Sequence, residues 1–425
     1  MSKFLCFMIG LMLITAGCAY AADEFYIGQW CGPLEKTQAS FAEAADAGFN
    51  VLWVSGKTVE EKQLGLELCQ ANGVRGMIVD ERPQVRRNSK NDINDLTKSI
   101  KATVKDYSKY PALWGYYVID EPSAVLYDKI AFASNYFLKK DPRHIPFVNL
   151  LPTYASSEQL GRPDYKTYVD DFMKTVRPKV LSFDHYTLFK DTAKIRDDYF
   201  ENMGIIRDAA VKYNVPFHSI ILSVPHECYR DPSLNDLRWE VYTALAYGAK
   251  GIMYFTYGTP RDPVFKDAII GLDGKPTAKY AYAKQINAEI KALGPTLLKL
   301  HSTGVYHTGS IPRGAEKLQS GNLLDRIEDG DFIIGEFVSN NGDKYAMIVN
   351  RSLDKTVKAK VVFSHKVILH ELSPIIGAEE PVAVNDETTY SAFHPSKKFA
   401  WSAAFKPGQG RLVRVEQVGG LPIDL

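Results

Sequence analysis

The chain has 425 residues, which is more than one ordinary hydrophobic core needs and enough for one large domain and one small domain. Hydrophobic residues make up 45% of the sequence, as in folded proteins, and the formal net charge at pH 7 is only +1. This charge balance gives no support for binding to nucleic acid or to an anionic membrane surface.

Residues 1–21 are predicted to be a signal peptide. Lys3 precedes the apolar run "FLCFMIGLMLITAG", and the small residues Ala19 and Ala21 fit a cleavage site. The alternative is lipoprotein processing at "TAGC", which would place a lipid anchor on Cys18. The apolar run is shorter than the roughly 20 residues of a membrane span, so no spanning helix is expected. We therefore expect a secreted or periplasmic protein, or alternatively an outer-surface lipoprotein.

Between residues 24 and 300, eight short apolar runs alternate with amphipathic helical patterns. The predicted strands are residues 25–31, 50–55, 73–80, 113–120, 145–151, 179–186, 216–224 and 251–257. Eight strand–helix units in this length match the count and size of a (β/α)8 TIM barrel, an α/β fold predicted here over residues 22–300. A doubly wound open sheet is the alternative, but no Gly-x-Gly-x-x-Gly loop follows its first strand.

The pattern changes after residue 300. Residues 301–331 are rich in Gly and Ser and show no sustained period, so we interpret them as a connection between domains. Six apolar runs then follow, separated by turn signals such as "NNGD" and "KPGQG", and no helical pattern lies between them. This arrangement predicts a small antiparallel β-sandwich over residues 332–425.

Polar and aromatic residues stand at the ends of the predicted barrel strands, where a (β/α)8 barrel builds its site. Aromatic rings can pack on sugar rings, amides and carboxylates can bind hydroxyl groups, and two carboxyl groups can hydrolyse a glycoside. We therefore expect a carbohydrate partner. The candidate substrate-binding residues are Trp30, Trp53, Asp80, Asp120, Asn149, Asp184, His185, Tyr186, His226 and Tyr257, and the candidate catalytic residues are Glu121 and Glu227.

The stretch "WGYYVIDEPSA" carries the clearest chemical signal. Asp120 and Glu121 directly follow an apolar strand that Pro122 ends, because proline lacks the N–H that a β-ladder requires. Aromatic surroundings would raise the pKa of Glu121 and keep it protonated as a general acid. The sequence contains no His-Glu-x-x-His or Gly-x-Ser-x-Gly motif, and the first strand has no His-x-His pair. No metal or cofactor is therefore expected.

Two segments resemble a known family. "WGYYVIDEP" resembles the strand 4 signature of the clan of retaining (β/α)8 glycoside hydrolases, in which an Asn-Glu-Pro or Asp-Glu-Pro motif carries the acid/base glutamate. "LRWEVYTALAYGAKGIMYFTYG" and the closing helix after it resemble β-galactosidase-like members with a C-terminal β-sandwich. The resemblance implies an exported enzyme that cleaves the O-glycosidic bonds of a poly- or oligosaccharide, with Glu121 as its acid/base.

The resemblance also implies a glutamate nucleophile at the end of strand 7, where Glu227 is the only glutamate. Asp184 is the alternative nucleophile. Asp120 stands where the clan often has an asparagine that binds the sugar 2-hydroxyl, and Tyr186 resembles a strand 6 tyrosine that supports the nucleophile. A different class of function remains open, that of a non-catalytic carbohydrate-binding barrel protein of the cell envelope, which would need no carboxyl pair.

Overall fold

The computed structural model describes residues 24–85, 92–191, 195–387, 389–390, 395–396 and 398–418. The predicted signal peptide, including Cys18, lies outside these residues. Within the described ranges, no helix has both the length and the apolar character needed to cross a membrane.

Eight parallel strands form a closed barrel in chain order. β1 pairs with β8, as in the register Tyr26↔Gly251, and this pairing closes the sheet. The strands are buried on both faces and therefore appear in the sequence as continuous apolar runs. The predicted (β/α)8 barrel is confirmed. Its strands are Tyr26–Gln29 (β1), Val51–Val54 (β2), Arg75–Ile78 (β3), Leu113–Asp120 (β4), Ile145–Leu150 (β5), Leu181–Asp184 (β6), Phe217–Leu222 (β7) and Gly251–Phe255 (β8).

Helices surround the barrel, and side-chain caps mark several of their starts. Ser233 and Asp236 form a capping box at the start of α8, and Gly248 ends this helix in the left-handed conformation. The helices are Gln38–Asp46 (α1), Val59–Ala71 (α2), Ile93–Tyr107 (α3), Tyr127–Lys140 (α4), Ser157–Leu160 (α5), Tyr165–Thr175 (α6), Tyr199–Tyr213 (α7), Leu234–Tyr247 (α8) and Ala278–Leu297 (α9).

The C-terminal part of the chain is all β. Its sheets have the strand orders β10-β9-β12-β13-β21-β15-β16 and β11-β14-β20-β17, and β18 pairs with β19. A separate hydrophobic core that includes Phe332, Ile348 and Trp401 confirms the predicted sandwich. The strands are Leu300–His307 (β9), Glu316–Lys317 (β10), Arg326–Glu328 (β11), Phe332–Ser339 (β12), Lys344–Asn350 (β13), Val357–Phe363 (β14), Val367–Leu372 (β15), Glu379–Val382 (β16), Asn385–Asp386 (β17), Thr389–Tyr390 (β18), Pro395–Ser396 (β19), Phe399–Phe405 (β20) and Gly410–Gln417 (β21).

The segment interpreted as a connection over residues 301–331 differs from that prediction. It contains most of β9, which pairs with β12 along its length, and also β10 and β11. Polar residues and a glycine at positions 301–304 hide the apolar pattern of β9, whose buried residues include Val305 and His307. The all-β part therefore begins at Leu300.

Helix α8 joins the barrel to the sandwich and is buried from Asp236 to Tyr247. Its residues share one hydrophobic core with Met347 and Leu412 of the sandwich. The indole N–H of Trp239 donates a hydrogen bond to the backbone oxygen of Arg351, 3.0 Å away. A helix on a lone barrel would expose one face, so the sandwich is part of the structural support of the barrel.

Gly335 permits the close approach of β12 to α8. A Cβ atom at this position would lie 2.0 Å from the backbone oxygen of Ala246. We expect Gly335→Ala to destabilise the protein by about 1–3 kcal/mol through overpacking, and to lower the Tm measured by calorimetry.

Gly204 in α7 is the matched control for this substitution, because the nearest atom that its added Cβ would meet is 3.7 Å away. Gly204→Ala should stabilise the protein by about 0.5–1 kcal/mol through helix propensity. Equal effects of the two substitutions would contradict the tight contact between α8 and β12.

Candidate active site

Polar side chains from three neighbouring strands meet at the mouth of the barrel, the end at which the strands have their C-termini. Asp120 of β4 is in register with Asn149 of β5, and Asn149 is in register with Ser182 of β6. The amide nitrogen of Asn149 donates hydrogen bonds to Asp120 Oδ1 and Asp184 Oδ1, each 3.1 Å away. The two aspartates are thereby held on either side of one buried amide.

Glu121 completes this group. Its side chain lies near that of Asp184, and the charge of Asp184 raises the pKa of Glu121. Its backbone N–H donates to the backbone oxygen of Asn149 at 2.9 Å. Glu121 has a φ of 43°, in the left-handed region that residues with a side chain rarely adopt. Strain of this kind is concentrated at functional sites. We refer to Asp120, Glu121 and Asp184 as the carboxyl cluster.

The pKa values of the whole carboxyl cluster are raised. Burial is the largest cause for each residue, and the pKa of Glu121 is raised further by the charges of Asp184 and Asp120. Asp120 and Glu121 can be reached by water from the mouth, yet they lie deep among protein atoms. Glu121 therefore holds a proton at neutral pH. The sequence predicted this direction from aromatic surroundings, whereas burial and neighbouring carboxyl groups cause it.

A cavity of about 300 Å³ opens beside the carboxyl cluster. Tyr117 lies in its wall together with Asp120 and Glu121, and the other lining residues are Gln84, Val85, Ile119, Pro122, Ser123 and Leu126. The predicted residues Trp30 and Trp53 pack behind Tyr117, with centroid distances to its ring of 5.6 and 4.9 Å, respectively. Both tryptophans are buried. They support the wall of the cavity and expose little ring surface to a ligand.

Tyr186 and His226 form an aromatic wall near Asp184. Tyr186 lies near Asp184, and its side chain partly offsets the rise in the pKa of this aspartate. The Tyr186 ring packs edge-on against His226 at 5.8 Å and lies 5.3 Å from Phe255 at the end of β8. The structure therefore places Tyr186 beside the carboxyl cluster, whose charges raise its pKa after burial.

Two other predicted site residues have polar partners outside the carboxyl cluster. Asp80 forms an ion pair with Arg82 at 2.6 Å and accepts a hydrogen bond from Tyr107 of α3 at 3.0 Å. His185 lies 3.2 Å from Asp198, the residue that precedes α7. These contacts connect the strand ends to the surrounding helices.

Tyr257 is also directed away from the mouth. It is 2% exposed, and its ring packs edge-on against that of Phe49 at 5.5 Å. Burial raises its pKa first, and the charges of Glu43 and Asp46 in α1 raise it further. Tyr257 therefore lies between the barrel wall and the helices.

Glu227 lies on the loop after β7, and its side chain is exposed. Its backbone oxygen accepts a hydrogen bond from Lys190 Nζ at 2.5 Å, and its φ is 44°. Asp184 and Asp120 are the carboxyl groups that most strongly affect Glu121, and Glu227 is not among the main influences. The carboxyl neighbours of Glu121 are therefore Asp184 and Asp120.

The sequence patterns did not predict Ser182, Arg196 or Tyr229 as residues of the site. Ser182 lies two residues before Asp184, so the alternation of a strand places both side chains on the same face. Arg196 follows strand 6 by twelve residues and belongs to no motif. Its guanidinium group lies 4.1 Å from the centre of the Tyr154 ring and donates to the Tyr229 hydroxyl at 3.0 Å. Only the folded loops bring these groups together.

No family model matches the chain, and the search of curated proteins found no match. Solved structures do resemble it in fold. A glycoside hydrolase aligns over 93% of both chains with a TM-score of 0.57 and 13% identity. A family 5 glycoside hydrolase from Bacteroides vulgatus aligns over 92% of this chain and 89% of its own, with a TM-score of 0.58 and 12% identity. A family 39 glycoside hydrolase from Bacteroides cellulosilyticus aligns over 92% and 81%, with a TM-score of 0.52 and 10% identity.

The raised pKa of Glu121 predicts how the stability of the protein depends on pH. A carboxyl group whose pKa is raised by folding favours the folded state at low pH, and this contribution is lost as the pH rises through the folded-state pKa. Glu121→Gln cannot ionise, so its Tm should exceed that of the unmodified protein by an amount that grows from pH 4 to pH 9. Because water reaches Glu121 and screens it, we expect a gain of about 1 kcal/mol, or about 1–3 °C.

Glu60→Gln is the control with the opposite sign. Glu60 is exposed, and its pKa is lowered by a backbone hydrogen bond and by the side chain of Thr58. This variant should not gain stability as the pH rises. A Tm difference for Glu121→Gln that stayed constant across the pH series would contradict the shifted titration of Glu121.

Proposed function

We propose that this protein is a glycoside hydrolase that cleaves the O-glycosidic bonds of a poly- or oligosaccharide, with Glu121 as the acid/base. The observation that carries the proposal is the carboxyl cluster at the mouth of a (β/α)8 barrel, in which Asn149 bridges Asp120 and Asp184 and Glu121 has a raised pKa. The similarity in fold to glycoside hydrolases supports it.

The chemistry requires a proton donor that water and substrate can reach. Departure of a sugar leaving group is accelerated when a carboxylic acid protonates the glycosidic oxygen. Glu121 retains its proton at neutral pH because burial and the nearby carboxyl groups raise its pKa. It also borders the cavity of about 300 Å³, whose wall includes Tyr117.

We assign the second carboxyl role to Asp184 in preference to Glu227, the residue that the family resemblance implies. Asp184 lies near Glu121, and Asn149 donates a hydrogen bond to it at 3.1 Å. Asn149 and Tyr186 both lower the pKa of Asp184 and so favour its ionised form. The side chain of Glu227 is exposed on its loop.

The family resemblance and the proximity of Glu121 to Asp184 support retention of configuration. Retaining enzymes hold their two carboxyl groups about 5–5.5 Å apart, whereas inverting enzymes hold them about 6.5–9.5 Å apart to admit a water molecule. In this mechanism Asp184 attacks the anomeric carbon and Glu121 protonates the departing oxygen. Glu121 then removes a proton from the water that releases the sugar from Asp184.

Export of the protein is part of the proposal. The predicted signal peptide over residues 1–21 supports a secreted or periplasmic protein, and "TAGC" supports the alternative of a surface lipoprotein anchored through Cys18. The mass of the N-terminal peptide of the mature protein distinguishes the two.

The test combines a panel of aryl glycosides and natural glycans with three variants. Glu121→Ala should lose about 10²–10⁴-fold in kcat/KM on natural glycosides, and far less on substrates whose leaving group needs no proton. Azide should rescue this variant and give a glycosyl azide of retained configuration. Asp184→Ala should lose turnover with every leaving group, and azide should give the inverted product. Glu227→Gln, the matched comparison, should lose less than about tenfold.

Three outcomes would change this assignment. Inverted product from the unmodified enzyme, followed by NMR, would contradict retention. Loss of turnover in Glu227→Gln rather than in the Asp184 variant would return the nucleophile role to Glu227. Glycan binding without any turnover would favour the non-catalytic carbohydrate-binding barrel.

A further inference from the structure

Asn149 contacts every member of the carboxyl cluster. It is 2% exposed near the end of β5, between β4 and β6. Its side-chain nitrogen donates to Asp120 and Asp184, and its backbone oxygen accepts the N–H of Glu121. An amide nitrogen has two hydrogen atoms, so these two side-chain bonds use both of its donors.

Ser182 fixes the orientation of this amide. It is fully buried, and its hydroxyl donates to Asn149 Oδ1 at 3.1 Å. With the amide reversed, its oxygen would face the oxygens of Asp120 and Asp184, and each aspartate would then need a proton to make a bond. The observed orientation instead presents N–H groups to both aspartates, which suits their ionised forms.

The amide affects the members of the cluster unequally. The hydrogen bond from Asn149 is the largest influence that lowers the pKa of Asp120, and it is also the largest that lowers the pKa of Asp184. Every main influence on Glu121 raises its pKa. The other titratable groups that face the cluster have raised pKa values and are neutral at pH 7, namely Cys31, Tyr117, Tyr154, Tyr165, Tyr168 and Tyr186. At pH 7, the groups that can exchange a proton with one another are therefore the three carboxyl groups of the cluster.

We propose that Asn149, oriented by Ser182, is the positioning residue that determines which carboxyl group carries the proton. Its amide holds Asp120 and Asp184 ionised and leaves the proton on Glu121. The consequence for catalysis rests on the proposed glycosidase function, since it supplies an ionised nucleophile beside a protonated acid. The placement of the proton itself is a property of the folded protein and does not depend on that function.

Infrared titration of the carboxyl bands tests the placement of the proton without a substrate. Difference spectra against Asp120→Asn, Glu121→Gln and Asp184→Asn assign the bands. Asn149→Ala should raise the titration midpoints of Asp120 and Asp184 by about one pH unit, because the ionised forms lose a hydrogen bond. Ser182→Ala should shift both in the same direction by a smaller amount, and this variant keeps the test available if Asn149→Ala does not fold.

Kinetics provide the second readout. In Asn149→Ala, the acidic limb of the pH profile of kcat/KM should move to higher pH by about one pH unit. At pH values on this limb, the shift corresponds to about a tenfold loss of kcat/KM. The loss should fall on kcat, with little change in KM, because the amide touches the catalytic carboxyl groups.

Asn50→Ala is the matched control. Asn50 is also a buried asparagine on the barrel, with hydrogen bonds to the backbone of Phe25 and Ile27. This variant should lower Tm and leave the carboxyl titration unchanged. If Asn149→Ala behaves in the same way, with midpoints within 0.2 unit of the unmodified protein, Asn149 has only a packing role and the proposal is wrong. If no glycan is turned over, the infrared titration still decides the question.

Discussion

Closure of the eight-stranded sheet is the constraint on which the rest of the structure depends. Pairing of β1 with β8 brings both ends of a sequence of more than 220 residues into one ladder, and it fixes the circular order of the strand ends. Asp120, Asn149 and Ser182 meet because β4, β5 and β6 are neighbours in that order and in register. The backbone hydrogen bonds that pair the barrel strands therefore also determine which polar side chains meet at the mouth.

The mouth concentrates unfavourable interactions that the remaining structure must outweigh. Three carboxyl groups lie together, their pKa values are raised, and Glu121 has a strained backbone conformation. The barrel core and the sandwich packed on α8 provide the opposing stability through apolar burial. An unfavourable site stabilised by the rest of the fold is typical of proteins that keep titratable groups in reactive protonation states.

The polar residues at the strand ends fall into two groups, one that connects strands to helices and one that forms the candidate active site. Asp80 and His185 connect strands to surrounding helices through Arg82, Tyr107 and Asp198. Among the described residues, the side-chain hydrogen bonds to the carboxyl cluster come from the amide of Asn149, and no ion pair with a basic side chain involves the cluster. Groups without a cationic partner keep a labile proton, and this is the property that acid/base chemistry needs.

Local patterns in the sequence were sufficient to predict the eight barrel strands, the six main strands of the sandwich and the carboxyl pair at the end of strand 4. Apolar runs, turn residues and a proline are local features, and they report local structure directly. The sequence pattern did not predict strand β9, because the first half of this strand is polar and its place in the sheet depends on pairing with β12.

Which side chains meet at the mouth was decided by the tertiary structure. The register of β4 with β5 shifts between Tyr117 and Ile119, and this irregularity changes the face on which the following residues lie. A pattern of alternating residues cannot reveal such a shift, nor can it show that Asp80, His185 and Tyr257 are directed toward the helices. The carboxyl group that lies near Glu121 depends in the same way on the tertiary structure. The loop after β7 leaves Glu227 exposed, whereas the short strand β6 ends at Asp184. Contacts between residues distant in sequence are set by closure and register, and these are properties of the whole sheet.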